Sequence, residues 1–399
     1  MPPRILLLAA ALLASLLGPA RALPPLPAGS QVIVSSTLNG TLHVFDASTL
    51  AETQPPLAVK GTSPVRLWVE RFGARALLLS ANHGVQGSLG VYDLDTPIVT
   101  ELPLSPFASG GQGSVGIAAG THAATGAAMI FLTDTVQALG GCGLPEGTIT
   151  GFDARLLATA GVATRFATVS SGGPVPYAVA FDGRRGEVLA SNYCNDTFVR
   201  LAVAGTGALG DGYGMRPFGT ASTGAGPDAV LYDGAYDRAY VTNIRGDSVS
   251  VFASGGHTAA VTTVPLPGAG PIDAALADSP SGARWMITSN GADDTVSLID
   301  RDAIAACAAT AVSPCHAEVA RIGAGVPGGA PEGVAYDPAT NRIFVVNKTI
   351  GAPALSVIQL DESGPAVQGQ HIATIPLRVL GAGTPLPDIT AFDVVVRPR

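Results

Sequence analysis

Four acidic residues recur at matching points of a repeated phrase. Asp228, Asp273, Glu332 and Asp388 each follow, within two residues, a proline that opens a short β-rich run, and Tyr177 holds the same place in another copy. Carboxylates gathered at one point supply hard oxygen donors, and a divalent cation such as Ca²⁺ takes six to eight of them. Asn192, Asn243, Asn290 and Asn347 end the next run in four copies and add candidate ligand-binding amides at the same end. Structural roles compete for both sets: an asparagine at a strand end fixes turn backbone through its own side chain, and an aspartate at a strand entry bonds amides of a neighbouring segment. An unneutralised carboxylate cluster repels itself, so the pattern calls for a protonated, solvated or cation-paired member. Arg66, beside the equivalent entry of another copy, is the nearest counter-charge.

Other chemistry is sparse. His83 titrates near neutrality and is a candidate general base, with a plain turn histidine as the alternative reading. The six histidines lack metal-ligand spacing, and neither Cys-x-x-Cys nor a Gly-x-Ser-x-Gly elbow occurs. Trp68 and Trp285 fall in strand patterns and read as packing. Of the four cysteines, Cys307 and Cys315 bracket a short Ala/Thr/Ser/Pro loop and suit a bridge, which leaves Cys142 with Cys194 either as a second bridge or as two buried free thiols.

The elements that must position these residues come from repetition. Seven copies of a phrase run along the chain, among them VIVSSTLNGTLHVFD from Val32, AYVTNIRGDSVSVF from Ala239 and IFVVNKTIGAPALSVIQL from Ile343. Taking Ser35, Ser80, Thr133, Ser191, Thr242, Ser289 and Val346 as equivalent, the intervals fall between 45 and 58 residues, which suits four strands and their turns. The fifth copy shows the set: PDAVLYD, RAYVTN, DSVSVFASG and AAVTTVPLPG, here called strands a to d, with period-2 alternation and Gly/Asp/Asn turns. The first copy begins at strand b, and the chain ends on a strand-a phrase from Pro387. An all-β ring of seven blades, closed three-plus-one by pairing the two ends, removes the free sheet edges. In this alignment Ala81 stands where four other copies carry Asn, and the third strand-a phrase around Val115 lacks the proline entry.

Tyr240-Val241-Thr242-Asn243 with Asp233 and Arg238 upstream, and Phe344-Val345-Val346-Asn347 with Asp337 and Arg342 upstream, resemble the YVTN family of seven-bladed β-propellers. The resemblance covers almost the whole chain after the leader. It implies a propeller of the lactonase-like or surface-layer type, whose superfamily includes lactonases and propellers of other function.

Residues 1–22 read as a secretory signal: Arg4, an apolar stretch over residues 5–17 too short to cross a bilayer, and Ala20-Arg21-Ala22 as the cleavage site. A proline-rich lead over residues 23–30 precedes the ring, residues 31–399. The expected location is secreted or periplasmic, where disulfides persist. The full chain of 399 residues carries 22 basic and 30 acidic residues and two lysines, Lys60 and Lys348, so nucleic acid is not an expected partner. The functional expectation is a binding or interaction module that holds a small molecule or protein at the channel mouth and top-face loops. The alternative is a metal-dependent lactonase-type hydrolase with a divalent cation in that mouth.

Overall fold

The computed structural model describes residues 29–397, apart from 38–39, 62, 85, 97, 104, 112, 136–141, 144, 208–211, 256–258, 349–352 and 378–392. The signal, most of the lead and Asp388 therefore lie outside the described residues. Seven antiparallel sheets form the blades of a propeller. Blades three to seven have four strands in a-b-c-d order, and in the second two short segments, Thr100–Glu101 and Phe107–Ala108, share the outer edge of strand c. The first blade joins the two ends: Val394–Arg397 is its strand a and pairs antiparallel with Gln31–Ser36, Val394 opposite Val34 and Arg397 opposite Gln31. The three-plus-one closure is present. Its described part runs over Val394–Arg397, and the earlier part of the phrase, from Pro387, lies outside the described residues.

Alternating apolar residues place one row of each strand against each neighbouring blade, so the core is a set of inter-blade layers. Val32, Val34, Phe344, Val346 and Leu355 make one such layer between the first and seventh blades. Phe198 and Phe252 meet with ring centres 4.4 Å apart between the fourth and fifth. Both expected disulfides form, Cys142 with Cys194 and Cys307 with Cys315, at Cα separations of 5.2 and 5.9 Å. The Cys307 segment departs from the loop reading. Residues Arg301–Ala309 form a helix, capped by Asp300, whose Oδ1 accepts from the Asp302 and Ala303 amides at 2.8 and 3.1 Å.

A bulge opens strand a in most blades. Pro227 faces Asn243 and Val230 faces Val241, so Asp228 and Ala229 together oppose Thr242. The fourth, sixth and seventh blades repeat this at Pro176, Pro271 and Pro331. A bulge leaves backbone groups out of the ladder and re-aims side chains. Here the strand-b hydroxyl takes over: Thr242 Oγ1 accepts from the Ala229 amide at 2.8 Å and donates to the Ile272 carbonyl of the next blade at 2.9 Å. Ser191 does the same between Ala178 and Asp228, and Ser289 between Asp273 and Glu332.

Candidate functional site

The bulges give each strand entry two positions, and the register corrects the sequence alignment. Tyr177, Asp228 and Glu332 stand first, directly after the proline, while Asp273 stands second, with Ile272 between it and Pro271. Asp393, outside the expected set, takes the second position of the first blade: its amide donates to Ser35 Oγ at 3.1 Å, as Ala229 does to Thr242. Arg66 holds that same position in the second blade, where Pro64 faces Asn82 and Arg66 faces Ala81. Asn82 is thus the equivalent of Asn243, and Ala81 occupies the hydroxyl position; the alignment had slipped by one residue.

This placement brings Arg66 among carboxylates from three other blades. Its Nη1 lies 3.1 Å from Asp273 Oδ2 and 3.8 Å from Asp393 Oδ1, and its Nη2 lies 3.6 Å from Asp228 Oδ1. Beside them Lys348 Nζ holds Glu332 Oε1 at 2.7 Å. Asp393 is further fixed by the Leu67 and Val394 amides at 2.7 and 2.8 Å, and Asp273 by the Val334 amide at 3.3 Å. Burial pushes Asp228 up to about 7; Arg66 pulls it down, but Glu332 and Asp273 reinforce the rise. Asp393 moves up for the same first reason, with Asp273 adding to it against the pull of Arg66. Burial opposes the charge on Arg66, yet Asp273, Asp393, Asp228 and Glu332 together hold it firmly cationic. Tyr177 packs edge-on against Tyr193 with ring centres 5.1 Å apart, and burial, then Asp228, raises its hydroxyl.

Below the cluster runs the central channel, a cavity of ≈ 480 Å³ reached by strand a of every blade. Arg66, Asp273 and Asp393 line its polar end, and the rest of the wall is mainly Ala, Val and Leu, with Trp68, Phe181, Tyr232 and Tyr336 as its aromatic members.

The four asparagines stand elsewhere. All are fully buried; three amides tie the b–c turn to strand c, and that of Asn192 reaches the connection from the preceding blade. Asn243 Nδ2 donates to Ser248 and Ser250 at 3.1 and 3.0 Å, Asn290 to Thr295 and Ser297 at 2.9 and 2.7 Å, Asn347 to Ser356 at 2.8 Å, and Asn192 to the Ser171 carbonyl at 2.9 Å. None lines the channel. His83 lies away from it as well, between the second and third blades near Asp134; burial depresses its basicity, against a hydrogen bond with the Gly113 backbone.

The donor set suits a hard divalent cation poorly. The point on which Asp228, Asp273 and Asp393 converge is held by a guanidinium, Glu332 is paired with Lys348, and Asp388 is outside the described residues. Among the described residues no three His, Cys, Asp or Glu side chains gather as a metal-binding group. Sequence reasoning missed Asp393 and the central place of Arg66, because bulges shift the register by one without altering the local pattern. The signal available was the second residue after each opening proline, Arg66 after Pro64 and Asp273 after Pro271.

No family model and no curated protein matches the chain. Solved structures do resemble it. A periplasmic gluconolactonase from Pseudomonas aeruginosa superposes with a TM-score of 0.64 at 16% identity, covering 92% of this chain and 98% of that one. A protein from Bacteroides fragilis, described as a putative 6-phosphogluconolactonase, gives 0.63 at 12% identity over 94% and 99%. One from Desulfotomaculum acetoxidans, described as functionally unknown, gives 0.61 at 14% identity over 92% and 99%. At these identities the likeness is one of fold.

Proposed function

We propose that this chain is an exported binding propeller that holds a small molecule at the mouth of its central channel. One observation carries the reading: Arg66 gathers Asp228, Asp273 and Asp393 from three other blades at the polar end of a ≈ 480 Å³ cavity with mainly apolar walls. A concave apolar site with a few convergent, pre-positioned polar groups is the usual anatomy of a small-molecule site. Export is supported by the leader in residues 1–22 and by two disulfides, and among the described residues no helix is long and apolar enough to cross a membrane. A secreted or periplasmic location follows from that reading.

The second reading, lactone hydrolysis, is favoured by the lactonase descriptions of two fold neighbours. Fold alone does not carry chemistry, and the metal-assisted route needs carboxylates that Arg66 and Lys348 already engage. The test pairs two assays on the purified mature protein. Binding predicts that some members of a panel of small polar and amphipathic compounds raise the melting temperature, that a lactone panel is not turned over, and that Ca²⁺ and chelator leave the melting temperature unchanged. Lactone turnover that disappears in the Asp228→Ala/Asp273→Ala double variant would replace binding with hydrolysis.

A further inference from the structure

The mouth carries an uneven charge. Arg66 and Lys348 face Asp228, Asp273, Asp393 and Glu332, so with every group ionised two carboxylates are in excess. Buried carboxylates without a matching cation are costly, and an anion brought to Arg66 would meet three of them. The sign of the site therefore favours a positive head group. The wall below fixes the rest of the molecule. Trp68, Val69, Leu231, Leu276, Val395 and Val396 line the channel and keep part of their surface exposed. Nearer the mouth Gly116, Ala178, Ala229 and Asp273 line it, three of them small residues that leave the entry open. Large apolar surface left uncovered within a concavity marks a place that an apolar group fills.

We propose that the channel takes a small organic cation with an apolar body, an alkyl- or arylalkylammonium, its head beside Asp273 and Asp393 in the field of the adjoining Asp228 and its body in the sleeve below. This rests on the binding reading and names the ligand class of the same site. An ammonium donates up to three hydrogen bonds and accepts none, so it needs only the acceptor sites that Arg66 leaves on Asp273 and Asp393, whereas a divalent cation would need six to eight oxygens of a set that Arg66 and Lys348 already engage. Head and body are recognised by different parts of the channel, so each can be removed independently.

The experiment is calorimetric titration of the mature protein in phosphate buffer at pH 8 with n-hexylammonium, n-hexanoate, n-hexanol and methylammonium. Hexylammonium is expected to bind at least tenfold tighter than the other three. Asp228→Asn, a substitution of the same shape, should weaken it about tenfold, and Ala275→Phe, which fills the sleeve, should weaken hexylammonium while leaving methylammonium unaffected. Should Ala275→Phe fail to fold, the Asp228→Asn comparison decides. Equal or tighter binding of hexanoate or hexanol, hexylammonium binding indifferent to Asp228→Asn, or no hexylammonium binding at all overturns the ligand class. In that case a response to another member of the wider panel preserves the binding reading, and silence across the panel removes both.

Discussion

At the scale of single residues, the mouth is a balance between burial and charge that Arg66 does not fully settle. Asp228 has an ordinary value of 3.8 when exposed and about 7 in the fold, raised first by burial. Between those values the native state holds a proton that the unfolded chain has lost, so this group makes stability fall as pH rises from about 4 to about 7. The groups facing it are Arg66 and Lys348, which lower its pKa, and Glu332 and Asp273, which raise it. Asp228→Asn imitates the protonated form at every pH. Relative to the natural protein it should therefore gain stability as pH rises from 5 to 8, by at most about 1.4 kcal/mol per pH unit for one proton. Chemical denaturation of both proteins at pH 5 and pH 8 measures this, and a difference that does not vary with pH would remove the assignment. Arg66→Ala acts oppositely: it leaves Asp228, Asp273 and Asp393 facing one another, and a loss of about 3 kcal/mol or more is expected from uncompensated buried charge.

At the scale of elements, the blades are tied by two devices of fixed position. The first is the hydroxyl of strand b, which satisfies the bulge amide of its own blade and the entry carbonyl of the next. Thr242→Val keeps the shape and strands both groups, so a loss of about 2 kcal/mol is expected, read as a lowered denaturation midpoint with unchanged slope. The second lies four residues after the strand-end asparagine. Asp196, Asp247 and Asp294 adopt positive φ and accept from the entry loop of the following blade, at Gly226, Gly270 and Ala330, over 2.7, 2.9 and 3.1 Å. Asp247→Ala loses that bond and keeps a side chain at a φ of 46°, a combined cost of about 1–2 kcal/mol. The Asn-x-x-x-Asp spacing was visible in the chain, at 192 and 196, 243 and 247, 290 and 294. Its role was not, because the partner amide lies 23 to 36 residues away.

At the scale of the molecule, the ring is held by its closure and its bridges. Removing residues 393–399 takes away strand a of the first blade, the buried Val394, and Asp393, which binds both the Leu67 amide and Arg66. Burial of one valine is worth about 2 kcal/mol, and the lost ladder and exposed edge add to it. The truncated protein should melt several degrees lower and unfold less cooperatively; an unchanged thermal transition would argue against the closure. The two bridges differ in span, 52 residues for Cys142–Cys194 and 8 for Cys307–Cys315. In the chain-entropy account their removal by paired serine substitution costs about 4 and about 2.5 kcal/mol, so the longer bridge should matter more.

While the structure settled the Cys142–Cys194 bridge that the sequence left open, the sequence alone determined the class of fold, the number of blades and the closure. Each of these rests on a local pattern repeated often enough to survive individual errors: alternation marks strands, glycine and aspartate mark turns, and a missing first strand a points to the chain end. It also carried the candidate residues Asp228, Asp273, Glu332 and Arg66. The tertiary structure decided what those residues do. Asp273 stands two residues after its opening proline and Asp228 one, and the bulge common to these strand entries makes those two places distinct, with Asp273 in line with Arg66 and Asp393; composition and period do not show that the difference matters. The asparagines sit within a few residues of the same strand ends, yet backbone direction turns them into the b–c turns and away from the channel. Whether a carboxylate meets a cation, a turn amide or another carboxylate depends on ångström distances between blades separated by up to hundreds of residues. Only the closing of the ring sets those distances.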